Sequence, residues 1–215
     1  MTLGRMNRVY LELGPKKVFA CSVDWPGWCR IGRSEEAAVE NLMHYVGRYR
    51  VIATRAGLNF DPGDPVVVDR VAGDSTTDFG APSASPGLDL DRVPEDEAAR
   101  AVALIQAAWS VFAEVSADSP EELRKGPRGG GRDRDKMVSH VIEAERAYAR
   151  KIGVRHKPLK DDAALAAMRK EISDVLGRPW EGGLVIERGW SARYAARRIA
   201  WHVIDHIWEM EDRAT

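Results

Sequence analysis

Residues 73 to 94 constrain what this chain can fold into, because the hydrophobic period changes across them. The stretch reads Gly73-Asp74-Ser75-Thr76-Thr77 and then Ala81-Pro82-Ser83-Ala84-Ser85-Pro86-Gly87. So much Gly, Ser, Pro and Asp builds no core and reads as a linker or a long surface loop. Before it, apolar residues alternate as in strands; after it, they recur every three to four residues as in helices. The expected fold class is therefore α+β, with a small domain over residues 1–73, a linker over 74–94 and a helical domain over 95–215. A chain of 215 residues can bury a sizeable core in either one domain or two.

In the first part, Arg8-Val9-Tyr10-Leu11-Glu12-Leu13 alternates and stops at Gly14-Pro15. Lys17 to Val23 reads as a second strand, Pro26-Gly27 as a turn, and Trp28 to Ile31 as a third strand. Ser34-Glu35-Glu36 has the hydroxyl and the acids of a helix start. That helix is expected to run to Ala56 and stop at Gly57, with Val66-Val67-Val68 as the last strand. The order is β-β-β-α-β.

In the second part, four helical runs are expected. The first opens at Pro94 and the second at Asp133 or Asp135, the latter ending at Gly153. The third begins at Asp161-Asp162 and ends at Gly177, and the fourth begins at Ser191 and continues almost to the C-terminus. Four such helices argue for a four-helix bundle.

Composition narrows the function classes. The formal net charge of −1 provides no global pull toward nucleic acid or an anionic membrane. The N-terminus lacks a secretory pattern, and no stretch approaches the roughly 20 apolar residues of a membrane span. Cys21 and Cys29, the two cysteines, are too few for a disulfide scaffold. The expected compartment is the cytoplasm, with reduced thiols; strand-borne structural thiols are a plainer reading than a metal or redox pair.

The last helix carries His202 and His206, four apart, so both imidazoles project from one face. Two nitrogens so placed can reach one metal at about 2.0–2.1 Å. The spacing is weak alone, but Ile199, Trp201, Val203, Ile204, Ile207 and Trp208 surround the pair, so the helix is expected to be buried. Buried neutral imidazoles need partners. A metal would meet that need, and so would hydrogen bonds to Glu or Tyr on neighbouring helices. His140, beside Met137, Val141 and Ala144 on the second helix, is the candidate third ligand. Three neutral ligands with one open position is the pattern of a catalytic zinc site. His44 and His156 read as bland.

Other residues are weaker candidates. Glu143 is one turn from His140 and Glu209 three residues from His206, so either could orient a histidine or act as a base; a solvated or salt-bridged acid is the plainer reading of each. Lys125 to Arg134 is basic and glycine-rich, and leads into the His140 helix. It reads as a connector or as an anion-binding loop in which Arg128, Arg132 and Arg134 hold a carboxylate or a charged cofactor. Arg193, Arg197 and Arg198 read as a solvated helix face, and Glu12, Glu40 and Asp69 as surface acids rather than a nuclease set.

With His140 on the second helix and His202-x-x-x-His206 on the last, residues 95 to 213 resemble the DinB/YfiT-like superfamily of metal-binding four-helix bundles. The resemblance implies a divalent metal, zinc or nickel, and a thiol-dependent transferase or isomerase of the mycothiol or bacillithiol type. Its partners would be a small-molecule thiol and an electrophile, without nucleic acid or membrane; a homodimer is allowed. The stretch Ala20 to Cys29, followed by Gly32-Arg33-Ser34-Glu35-Glu36-Ala37, is similar to a HicB-type antitoxin domain, a truncated ribonuclease-H-like unit. The helical part stands where an antitoxin's DNA-binding segment would follow. The alternatives are a non-catalytic binding protein, in which the HicB-like part recognises a partner, and a metal-dependent hydrolase.

Overall fold

The computed structural model describes residues 6–126 and 130–214. Its first part is a mixed sheet of β1 (Met6–Leu13), β2 (Val18–Ser22), β3 (Cys29–Gly32) and β4 (Asp64–Ala72), in the order β3-β2-β1-β4. The first three strands are antiparallel neighbours, and β4 pairs parallel with β1. A parallel return needs a crossover, which α1 (Glu35–His44) and α2 (Val46–Arg55) supply. Ser34 Oγ caps α1 by accepting from the Ala37 N–H at 3.2 Å.

The single helix expected up to residue 56 is broken at Tyr45, whose N–H bonds the Leu42 carbonyl at 3.1 Å. The break lets the Tyr45 ring lie 3.9 Å from the Arg30 guanidinium carbon and 4.7 Å from the Trp208 ring. Contacts with a distant helix thus override a continuous local pattern.

Both faces of the sheet are covered. Val9, Leu11 and Ala20 pack with Leu42, Tyr49 and Ile52 of the crossover helices. Tyr10, Phe19, Cys21 and Cys29 form a second apolar cluster with Trp201. Residues 74–94, expected as a linker or surface loop, carry α3 (Ser75–Phe79) and a 3-10 turn at Gly87–Leu90, and contribute Ala81 and Leu88 to that cluster.

Glu12 corrects the surface-acid reading, because it is 0% exposed. Its carboxylate accepts from Thr77 Oγ1 at 2.6 Å, Ser83 N–H at 3.0 Å and Ala84 N–H at 2.9 Å. Three donors replace its hydration and tie the 74–94 segment to β1. Asp89, also buried, makes two hydrogen bonds with the Arg197 guanidinium.

The second part consists of α4 (Glu95–Asp118), α5 (Arg134–Ala149), α6 (Asp162–Leu176) and α7 (Ala192–Ala214). Asp161 caps α6 through the Ala164 N–H at 2.8 Å, and Ser191 precedes α7 with its Oγ accepting from the Tyr194 N–H at 3.3 Å. α4 and α5 each pack against both α6 and α7. Among the described residues, α4 is long and apolar enough to cross a membrane, which the sequence reading did not expect. Its apolar residues have a use in the fold: Leu104, Ile105, Ala108 and Phe112 are buried in the core.

That core is continuous, joining Val9, Leu42 and Tyr49 to Leu104, Met168 and Ile204. The Pro26–Gly27 turn seats directly on α7. Gly27 has φ +89°, and a Cβ there would stand 2.7 Å from Ile204 Cδ1 and 2.9 Å from the Ala200 carbonyl carbon.

Candidate metal centre

α7 is buried around most of its circumference, so it can hold polar groups out of bulk water. His202 and His206 occupy successive turns and are 6% and 8% exposed. His140 projects from α5 and is half-buried. One ring nitrogen from each of the three lies within 4.8 Å of the other two. The rings meet edge to face, with centroids 4.7–5.1 Å apart.

His140 Nε2 and His202 Nε2 are 3.3 Å apart. Two nitrogens bound to one tetrahedral zinc stand roughly 3.4 Å apart, so the spacing fits a shared ion. It also fits a direct hydrogen bond between the two rings if one nitrogen carries a proton.

His206 is oriented from behind. Its Nδ1 lies 2.9 Å from Glu209 Oε2, and this hydrogen bond, the largest cause, lowers the Glu209 pKa and keeps the carboxylate ionised. A proton on Nδ1 directed at that carboxylate leaves Nε2 as the lone pair, the arrangement that raises ligand basicity in metal sites.

Glu209 is fixed in turn by Arg213, whose guanidinium donates to Glu209 Oε1 at 2.8 Å. Arg213 also donates to the Arg124 carbonyl at 2.6 Å and the Arg132 carbonyl at 2.8 Å. Gly131, at φ +129°, passes so close that a Cβ would stand 2.6 Å from Arg213 Cζ. The end of α7 therefore clamps the described ends of the glycine-rich segment next to His206.

The protonation chemistry favours donors. Burial, followed by the charges of His206 and His140 and then of Arg198 and Arg132, pushes the His202 pKa down to about 2. Burial and the Arg132 charge also lower His140, against a smaller opposing effect of Glu209. His202 Nδ1 is buried without a hydrogen-bond partner, so the polar contact of this ring is made through Nε2. The donor set is three imidazoles, two of them held neutral, which suits a divalent transition-metal ion.

No family model, curated protein or solved structure matches this chain.

The remaining candidates lie as follows. Glu143 is half-exposed, pairs with Arg146 at 2.6 Å and is not among the residues that meet at the histidines. Arg134 bonds the Ser119 carbonyl at 3.1 Å and Asp135 at 2.8 Å. Arg132 contributes its carbonyl to Arg213 and has an exposed side chain, while Arg128 lies outside the described residues. His44 is near Glu40 at 3.9 Å and His156 near Glu171 at 3.1 Å.

The solvated-face reading of Arg193, Arg197 and Arg198 is corrected. Arg193 pairs with Glu97 at 2.5 Å and Arg197 is 4% exposed against Asp89. Arg198 is half-buried, with its guanidinium 4.8 Å from the Trp201 ring and 5.4 Å from the Tyr148 ring.

Sequence reasoning missed Arg213. It stands four residues after Glu209 and seven after His206, so the 206-209-213 stripe could have revealed it. A cleft of about 230 Å³ opens elsewhere, between β1 and the starts of α4 and α7. Its Arg8 and Arg193 are already paired with Asp24 and Glu97.

Proposed function

We propose that this chain is a metal-binding protein that holds one divalent ion, zinc or nickel, on His140, His202 and His206. The observation that carries the reading is the convergence of three imidazoles from two helices, with one ring already oriented by a carboxylate. Bound there, the ion supplies Lewis acidity, which lowers the pKa of an exogenous ligand toward neutrality. The chain's own residues do the rest. Glu209 holds the His206 tautomer, Arg213 holds Glu209, and the apolar turns around His202 keep bulk water from its ring.

The reaction class we favour is thiol transfer or isomerisation of the DinB/YfiT type, with a low-molecular-weight thiol and an electrophile as partners. The packing of α4 to α7, read as a four-helix bundle, and the positions of the three histidines support it. The mixed sheet with its helical crossover is read as the HicB-like unit, in a cytoplasmic protein whose Cys21 and Cys29 remain thiols. Glu209 is engaged by two partners and Glu143 by Arg146, so neither is well placed as the base that hydrolysis needs.

Elemental analysis of protein purified without a histidine tag tests the first stage. About one zinc or nickel per chain is expected, lost on each single substitution H140A, H202A and H206A. An ion-free protein would sink the metal reading, and retention in all three variants would overturn the choice of these three ligands. Conjugation of mycothiol and bacillithiol to model electrophiles tests the second stage, and no turnover with either would favour a binding protein. That second reading draws on the 3.3 Å His140–His202 approach, which can be a plain hydrogen bond in a scaffold.

A further inference from the structure

The buried or half-buried arginines around α7 mostly meet a carboxylate. Arg197 has Asp89, Arg193 has Glu97, and Arg213 has Glu209. Arg198 does not. Its hydrogen bond runs from one terminal nitrogen to the Pro82 carbonyl. Among the described residues no carboxylate pairs with it, and its Nε and second terminal nitrogen make no hydrogen bond.

The position of this guanidinium matters. Arg198 is one turn before His202 on α7, and Tyr148 is two turns after His140 on α5. The Tyr148 ring lies 5.4 Å from the Arg198 guanidinium, 5.6 Å from the His202 ring and 5.3 Å from the Trp190 ring. Arg198, Tyr148 and Trp190 are all half-buried and so reachable from solvent. They form a cationic and aromatic wall beside the histidines.

A second cation stands near the cluster. Arg132 is tied to the cluster through its carbonyl, which accepts from the same Arg213 that holds Glu209 beside His206, and its exposed side chain has no carboxylate partner among the described residues. Glu209, the acid beside the histidines, is already bound to His206 and Arg213. The local field therefore favours an incoming anion.

We propose that the exogenous ligand of the three-histidine site is a small organic carboxylate, held by the free donors of Arg198 with its planar body against Tyr148 and Trp190. The proposal rests on the metal reading and names the ligand class for that site. A guanidinium edge matches a carboxylate in plane and in charge, and aromatic walls take a flat apolar body. A phosphate would call for more converging donors than one partly occupied guanidinium supplies.

Benzoate titration of the full-length protein loaded with cobalt(II), followed by visible absorption, provides the test. Benzoate is expected to change the cobalt spectrum and to bind more tightly than acetate or inorganic phosphate. Replacement R198Q should weaken benzoate about tenfold or more, the loss of a charge-assisted contact, at unchanged cobalt stoichiometry. R198K should fall between, and R132Q on the exposed segment should weaken benzoate by a smaller factor.

Equal benzoate affinity in wild type and R198Q would overturn the inference and leave the metal reading standing, as would tighter binding of phosphate. Failure of the wild-type protein to bind cobalt would overturn both. If R198Q loses cobalt or its circular dichroism, R132Q and the benzoate-to-acetate preference decide, and absence of both effects overturns the inference.

Discussion

At the scale of single residues, the site is a chain of dependencies running from His206 to Glu209 to Arg213 and on to the loop carbonyls. Removing the orienting carboxylate with E209Q should weaken metal binding by about 10- to 100-fold, measured by competition with a chromophoric chelator. His202 also makes the metal-free protein sensitive to acid. Its ring takes a proton near 6.5 when unfolded but only at about 2 when folded. Below pH 6.5 the unfolded state therefore binds more protons, so stability present above that pH is lost as pH falls, by up to roughly 1.4 kcal/mol per pH unit. Urea denaturation of metal-free protein between pH 7.5 and 5 should show this slope, and H202Q should flatten it.

At the scale of elements, the Pro26–Gly27 turn and α7 are built for one another. G27A would force a side chain onto a positive-φ position and into the Ala200 backbone. A loss of roughly 2–4 kcal/mol is expected from strain and overpacking, read as a lowered midpoint in thermal or urea unfolding. The turn itself was legible in the sequence, because Pro-Gly between alternating stretches has few other uses. That it docks on a helix more than 170 residues away was not, since nothing local to Gly27 names Ala200. The four long helices were legible for a similar reason: their caps and stops are local chemistry, as Asp161 and Ser191 illustrate. The break at Tyr45 was illegible because its cause, the contacts with Arg30 and Trp208, is tertiary.

At the scale of the whole molecule, the apolar core runs through both parts of the chain. Calorimetry should accordingly show one cooperative unfolding transition, and two well-separated transitions would count against a shared core. The Asp89–Arg197 pair joins the 74–94 segment to α7 with both side chains buried. D89A leaves the Arg197 charge without its partner, so a loss of about 3–5 kcal/mol is expected, measurable by urea unfolding. The sheet's second face explains why the segment is ordered. Tyr10, Phe19, Cys21 and Cys29 are apolar there, and Trp201, Ala81 and Leu88 cover them.

What the sequence determined by itself is what short-range chemistry determines: where the four long helices are capped, where the strands of the first part fall, and that His202 and His206 share a helix face. It also suggested His140 as a third member, because a histidine beside an apolar stripe faces a neighbouring helix. Tertiary structure alone decided which nitrogens meet, that Glu209 rather than Glu143 reaches a histidine, and that Glu12 and Arg197 are buried. Each of these depends on which element covers a residue, and a polar side chain reads the same in sequence whether water or a distant helix satisfies it.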